Sequence, residues 1–588
     1  MKRLIKIISI FVLIFVLFSC SENNKEAITI IYTNDVHGYI ANSKKDDANN
    51  EVSLLRLNNI SGYTKKLKKD NKNVLLVDAG DEIQGSVYGS IDKGVEMIEI
   101  FNKTGYDLAT PGNHDFDFGM DGFNRIVNSA SYKFISCNFK SLETNKNVLD
   151  SYKIYEFGGT KIGFIGISTP ETITSSTPTF FKNSNGDFIY TFDGVKNKNE
   201  LYSSVQASIN EIRDKVDYLI GLGHLGVGDD EKAMGWSSID LISNTYGLDA
   251  FIAGHSHTLI EKEVIKTKDN KDCILTQTGC YLNGFGQMNI SKDGLVETKI
   301  INSVNESDDE VKQLEDSLIT KVNNELGSKI GVLEKPLYIT DSTNLNQRLV
   351  RSRETNLGDF VSDSVYWYLN EAKELDCDIV LTNGGGIRNN LMNGDLTYLS
   401  VKTVSPFGNQ LCLIKTKGIN IKNALEMGVD VIEGWDSDND CPAENGGFMQ
   451  VAGMKYVADA SISSYVSKDD NGMFKGVEGD YRVTDILVYN KKTNSYEELD
   501  ENKEYLVGGT NYILKNNGNG LTMFSDSETI LDYISEDYMA LAEFMKSFKN
   551  ENNECIINNS TSPFKRYINY SCDYENPKGS GRITLLNI

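Results

Sequence analysis

Every histidine in this chain follows closely on a short apolar run, and no other feature of the sequence limits the fold so sharply. The five are His37, His114, His224, His255 and His257. Ala27–Tyr32 leads into Asn34-Asp35-Val36-His37, and Leu108-Ala109 into Gly112-Asn113-His114-Asp115-Phe116-Asp117. Val216–Leu222 leads into Gly223-His224, and Leu248–Ala253 into Gly254-His255-Ser256-His257. A further run, Asn73–Val77, ends in Asp78-Ala79-Gly80-Asp81. Continuous apolar runs of this length are expected of strands buried on both faces. Open α/β sheets bind ligands beyond the carboxyl ends of their strands. Carboxylate, amide and imidazole groups collected at such ends therefore predict one shared site. In an extended segment residues i and i+2 point the same way. Asp35/His37 and His255/His257 are thus each expected to present two ligands to one centre. An oxygen and nitrogen set without thiolate suits zinc, manganese, cobalt or iron.

The rest of the first half supports an α/β layered domain. Lys133–Cys137 and Lys161–Ile167 are further strand candidates, and Val52, Leu55, Asn59 and Tyr63 fall at helical spacing. Ser307 and Glu310 read as a capping box ahead of Val311, Leu314, Leu318, Val322 and Leu326, with Gly327 as the stop. That helix is expected to join two domains, because a single core rarely grows beyond about 250–300 residues and the chain has 588. The second half reads as a helix over about 355–375, then strands at Ile379–Leu381, Gln410–Thr416 and Phe448–Ala458. Gly-rich turns fall at Gly384–Gly386 and Asn516–Gly520. Asp436-Ser437-Asp438-Asn439-Asp440 opens like a calcium loop, but Cys441 stands where that motif needs Gly and Gly447 where it needs Glu. A solvated acidic loop is the expectation there.

At the N-terminus Lys2, Arg3 and Lys6 precede the apolar run Ile7–Phe18, too short for a bilayer span of about 20 residues. This reads as a secretory signal. It ends at Ser19-Cys20, which resembles the lipobox of bacterial lipoproteins, whose Cys is acylated. The protein is therefore expected to be exported, lipid-anchored at Cys20 to a bacterial membrane, and to face the periplasm or the cell surface. A formal charge of −24 disfavours any nucleic-acid polymer as partner. No Cys-x-x-Cys pair offers a thiolate zinc site; Cys555 and Cys572 flank a polar stretch and either pair or remain as thiols.

The blocks Asn34-Asp35-x-His37, Asp78-x-Gly80-Asp81, Gly112-Asn113-His114-Asp115, Gly223-His224 and Gly254-His255-x-His257 resemble those of the calcineurin-like metallophosphoesterases. The details Asp81-x-x-Gln84-Gly85 and Asn113-His114-Asp115-Phe116-Asp117 resemble the branch of 5′-nucleotidases and UDP-sugar hydrolases. The resemblance implies a four-layer α/β sandwich followed by an α+β substrate-binding domain. Its segments would be a signal over 1–19, a tether over 20–26, the phosphoesterase domain over 27–306, a linker helix over 307–344 and the C-terminal domain over 345–588. It also implies two divalent ions (zinc, manganese, cobalt or iron), one held by Asp35, His37, Asp78 and His257, the other by Asp78, Asn113, His224 and His255, with Asp78 bridging. His114 would contact the phosphoryl group, oriented by Asp117.

The second half resembles the nucleoside-binding domain of the same branch. Arg351-Ser352-Arg353-Glu354-Thr355-Asn356, Asn383-Gly384-Gly385-Gly386-Ile387-Arg388, Pro406-Phe407-Gly408-Asn409 and Thr510-Asn511 carry that likeness. It implies phosphate contacts from Arg351 and Arg388, polar contacts from Asn383 and Asn409, and base stacking on Phe407. Arg348 and Arg353 are near neighbours of that set. Two departures stand out. Ile513, beside Tyr512, occupies the place of a second stacking aromatic, and Asn519 replaces a carboxylate that binds ribose or base. The reading is a monomeric 5′-nucleotidase for nucleoside monophosphates, with nucleotide sugars and dinucleotides as further substrates. A 2′,3′-cyclic phosphodiesterase/3′-nucleotidase and a non-catalytic nucleotide-binding lipoprotein are the alternatives.

Overall fold

The apolar runs of the first half become strands because both of their faces are covered. The computed structural model describes residues 26–40, 43–45, 51–53, 55–70, 73–345, 347–436 and 441–588. The signal, Cys20 and the stretch 437–440 of the acidic loop lie outside the described residues. One six-stranded sheet has the order Val296–Ile301, Phe285–Ile290, Ile28–Thr33, Val74–Asp78, Leu108–Ala109, Lys133–Phe134. A second has the order Leu259–Lys266, Asp272–Thr278, Ala250–Ala253, Tyr218–His224, Thr160–Ser168, Tyr152–Phe157. The sheets pack face to face through Ile28, Ile30, Tyr32, Leu75 and Val77 on one side and Phe164, Ile220, Leu222 and Ile252 on the other. The alternate residues Ile31, Val74 and Leu76 face outward, under the helices Leu57–Asp70, Val95–Thr104 and Asp309–Leu326. Ile165, Leu219 and Phe251 likewise pack under Lys198–Ile212 and Ser238–Asn244. The result is a four-layer α/β/β/α sandwich.

Parallel pairing sets the carboxyl ends side by side. Thr33 is in register with Asp78 and Asp78 with Ala109. In the other sheet Ser168 pairs with His224, and Gly223 with Ala253. The loops that follow these strands therefore emerge on one edge.

Three local expectations change. The helix expected to include Val52 begins at Leu57, and Glu51–Ser53 instead pairs with Ser43–Lys45 as a short hairpin. The helix Asp309–Leu326 is capped by Asp308, which accepts from the Glu310 N–H at 3.1 Å. Ser307 is turned aside, its hydroxyl accepting from Asn58 Nδ2 at 2.8 Å. The run Phe448–Ala458 is broken at Gly453 (φ +72) into Met449–Ala452 and Met454–Asp459, which join different sheets. A side chain at Gly453 would meet Asp378 O at 2.3 Å, so only glycine turns the chain there.

The helix Asp309–Leu326 buries Val311, Leu318 and Val322 against the first sandwich and leads to the strand Lys329–Leu333 of the second domain. That domain is α+β. Its five-stranded sheet has the order Met449–Ala452, Ile379–Asn383, Glu504–Thr510, Leu411–Lys417, Glu528–Leu531. The helices Asn356–Trp367 and Asp537–Lys546 cover one face and Gly418–Gly428 the other. Cys555 and Cys572 do not pair: their thiols lie against Met545 O and Ser562 Oγ. The domains meet where Met473 enters a cluster with Phe116, Phe139 and Phe181, and where Asn389 Nδ2 donates to Tyr39 OH at 3.3 Å. Among the described residues no helix is long and apolar enough to cross a membrane.

Candidate active site

Asp35, His37, Asp81, His255 and His257 all have positive φ, from +50° to +88°. Non-glycine residues rarely adopt this region, and such strain concentrates at functional sites. It also replaces the expected geometry. Asp35 and His37 converge through a left-handed turn and not through strand pleating. His255 and His257 diverge, each joining a different cluster.

In the first cluster Asp35, His37 and His257 come together. His37 Nε2 lies 3.0 Å from His257 Nε2, and Asp35 Oδ1 lies 3.8 and 3.5 Å from the two nitrogens. In the second, Asp81, His224 and His255 come together. Asp81 Oδ2 stands between the clusters, 3.1 Å from His224 Nε2 and 3.7 Å from His37 Nε2. Asp35 also reaches the second cluster, with Oδ1 3.9 Å from His224 Nε2.

Asp81, and not Asp78, thus stands between the two clusters, and the expectation that placed Asp78 there is corrected. Asp78 is the last residue of its strand, and its carboxylate is held at the sheet end by Thr33 Oγ1 at 2.5 Å and the Gly80 N–H at 2.7 Å. Burial, with Asp115 and Asp35 nearby, keeps that carboxyl well above the usual range. The turn through Gly80 (φ +98) then delivers Asp81 to the cleft. A side chain at Gly80 would meet His224 Nδ1 at 2.6 Å. The pattern Gly-Asp after the strand was the available signal: the acid beyond the turn faces the ligand, and the acid inside the strand faces the sheet.

Hydrogen bonds aim the rings. Gln84 O binds His37 Nδ1 at 2.6 Å and Ala79 O binds His224 Nδ1 at 2.7 Å. Carbonyl partners make each Nδ1 a donor and leave each Nε2 lone pair facing the centre, as metal-binding histidines require. Burial holds His37 and His257 below the ordinary imidazole range, the neutral form a cation needs. Burial opposes charge on His224 as well, but Asp81 and Asp35 carry it up to about 10. A proton there stands in for positive charge that the acids call for. Asn113 Oδ1 is buried without a hydrogen-bond partner. An orphaned amide acceptor beside two acids and the neutral imidazoles of His37 and His257 fits a pair of divalent cations.

His114 lies beside this centre with its backbone N–H donating to Asp81 Oδ1 at 2.8 Å. Its Nδ1 is 2.7 Å from Asp117 Oδ2, and Ser176 Oγ donates to Asp117 Oδ1 at 2.9 Å. Glu171 Oε2 is 2.8 Å from His255 Nε2. Neither Ser176 nor Glu171 is distinguished in the sequence.

A cavity of about 710 Å³ opens between the domains, lined by His114, Asp117, His255 and His257 from the first. Arg351, Asn383, Arg388, Phe407, Asn409, Tyr512 and Asn519 line it from the second. Tyr512 faces the cavity while Ile513 is buried in the domain core. The Tyr512 hydroxyl reaches Thr174 O and Ser175 O across the domain boundary, each at 3.3 Å. Arg348 and Glu444 also line the cavity, whereas Arg353 turns to Ser352 O at 2.7 Å.

This fold with this site defines a hydrolase of the dinuclear metallophosphoesterase class. Residues 28–259 match the family of calcineurin-like phosphoesterases, and residues 329–526 match the 5′-nucleotidase C-terminal domain. The chain is similar to the trifunctional nucleotide phosphoesterase protein YfkN of Bacillus subtilis, 27% identical over 570 residues and covering 89% of this chain. It spans 34% of the length of that relative. The 5′-nucleotidase of Rattus norvegicus is 24% identical over 563 residues, covering 89% of this chain and 88% of its own. The crystal structure of a 5′-nucleotidase precursor from Thermus thermophilus superposes with a TM-score of 0.73 at 24% identity, over 96% of this chain and 100% of that one, and shows the fold. The chain carries a calcineurin-like phosphoesterase domain fused to a 5′-nucleotidase C-terminal domain.

Proposed function

We propose that the protein hydrolyses nucleoside 5′-monophosphates to nucleoside and phosphate, with nucleotide sugars and dinucleotides as further substrates. One observation carries this: one histidine from each metal-ligand cluster, His257 and His255, lines a single cavity together with His114, Arg351, Arg388 and Phe407. Asp35, His37 and His257 would hold one cation, and Asn113, His224 and His255 the other, with Asp81 between them. Two bound divalent ions would supply Lewis acidity, offsetting phosphoryl charge and acidifying water. The protein's own groups do the rest. Arg351 and Arg388 bind phosphoryl oxygens, for which a planar guanidinium fork is suited. Phe407 holds the base by stacking, with Tyr512 at the cavity wall. Asn383, Asn409 and Asn519 hydrogen-bond sugar or base. His114 donates where charge develops on the phosphoryl group, and Asp117 fixes its tautomer and orientation.

A second reading, a 2′,3′-cyclic phosphodiesterase/3′-nucleotidase, draws on Asn519, an uncharged group where ribose or base would lie. Release of phosphate from AMP, UMP, UDP-glucose and cyclic nucleotides, with Mn²⁺ or Zn²⁺ against EDTA, tests both. Metal-dependent turnover of AMP or UMP supports the first; turnover of cyclic substrates alone supports the second. The reading also has the protein exported, monomeric and lipid-anchored at Cys20. Fatty-acid labelling that persists in Cys20→Ser would refute the anchor.

A further inference from the structure

Three guanidinium groups, Arg348, Arg351 and Arg388, line the same cavity, but they are not equally free. The fork of Arg348 is used up by one carboxylate. Its Nε lies 2.8 and 3.0 Å from the two Glu444 oxygens, and its Nη2 bonds the second oxygen more closely still. Arg351 has a single long contact with the same carboxylate, Nη1 to Oε2 at 3.4 Å, and its Nε is buried without an acceptor. Arg388 has no carboxylate within ion-pair distance among the described residues; its guanidinium lies 5.5 Å over the Phe407 ring. Two arginines thus remain to receive an anion, and the third is committed within the protein. A bidentate carboxylate–guanidinium pair mimics the contact a phosphate would make.

We propose that Glu444 is a specificity-determining residue: by occupying Arg348 it disfavours nucleoside diphosphates, whose free terminal phosphate brings one more negative charge than a monophosphate or a nucleotide sugar carries. This rests on the nucleotidase reading above and names the substrate class within it. A diphosphate entering the cavity would bring its second phosphoryl group toward a position already filled by a negative charge. It would have to displace Glu444 from a two-point contact to gain Arg348, and like-charge juxtaposition of this kind is how sites reject near-isosteres.

The test compares kcat/KM for ADP and AMP in the metal-loaded full chain. In Glu444→Gln the ADP/AMP ratio is expected to rise about tenfold or more, because Arg348 is released to the second phosphoryl group. The double variant Arg348→Met/Glu444→Gln is expected to fall well below Glu444→Gln in this ratio, because it lacks the guanidinium that would take the second phosphoryl group. Glu444→Asn, shorter but equally uncharged, serves as a second variant should the first fail to fold, and is expected to give the same direction. A ratio in Glu444→Gln that stays within about twofold of the parent, or a double variant whose ratio equals that of Glu444→Gln, overturns the inference while leaving the nucleotidase reading intact. A parent protein that turns over neither nucleotide overturns that reading and this one with it.

Discussion

The ring of Phe407 lies nearly parallel to the imidazole of His114, with centroids 5.8 Å apart and 25° between the planes. One residue comes from the domain that carries the metal-ligand clusters and the other from the C-terminal domain, so the two domains meet at the proposed site. The pair predicts separable losses. His114→Ala should keep its metal by elemental analysis and lose about 10²–10⁴-fold in kcat. Phe407→Ala should raise KM for AMP about tenfold or more, since base stacking contributes about 1–3 kcal/mol, and leave KM for ribose 5-phosphate, which has no base to stack, unchanged. Loss of metal from His114→Ala, or equal effects of Phe407→Ala on both substrates, would contradict these roles.

Asp78 and Asp81 sit three positions apart and should behave oppositely. Asp81 faces two imidazoles at 3.1 and 3.7 Å, whereas Asp78 bonds only Thr33 and Gly80 at the sheet end. Asp81→Asn should lose most bound metal and turnover. Asp78→Asn should retain both, because its amide oxygen can still accept from the Gly80 N–H while its NH2 donates to the Thr33 hydroxyl oxygen. The reverse pattern in metal content would return the bridging role to Asp78.

Ser176 is 1% exposed and spends its hydroxyl on the carboxylate that orients His114. Ser176→Ala should lower kcat about tenfold with little change in KM, the size of one hydrogen bond to a charged group. Ser176→Thr should restore it. A rise in KM instead, or no rescue by Thr, would show that the hydroxyl serves packing and not the dyad.

Glu315 gives the fold a pH dependence. It is fully buried beside Arg56, with Nη2 at 3.0 Å, and burial pushes its carboxyl from 4.5 up to about 7. A raised acid stabilises the fold fully below its unfolded pKa, and that contribution is lost as pH rises through the folded one. The parent should therefore lose up to about 3 kcal/mol relative to Glu315→Gln between pH 4.5 and pH 7. Denaturant unfolding across that window measures it, and parallel curves for the two proteins would exclude the effect.

The sandwich was legible because strands buried on both faces leave unbroken apolar runs, as in Val74–Asp78 and Tyr218–His224. The histidines were legible because so few exist and each follows such a run. Choices between adjacent candidates were not. Ser307 and Asp308 are both good caps, and only the contact of Ser307 with Asn58 decides between them. Asp78 and Asp81 differ only in which side of the Gly80 turn they occupy. Glu444 and Ser176 carry no local pattern at all: their partners lie 96 and 59 residues away in sequence, and their roles exist only once the chain has folded.

The central claim is that two cations are gripped by the clusters that Asp81 joins. Crystals grown with manganese, with data collected at its absorption edge, test it most directly. Two anomalous peaks about 3.5–4 Å apart are predicted, one among Asp35, His37 and His257, the other among Asn113, His224 and His255, with Asp81 touching both. An empty cleft, a single peak, or ions bound away from Asp81 would contradict it.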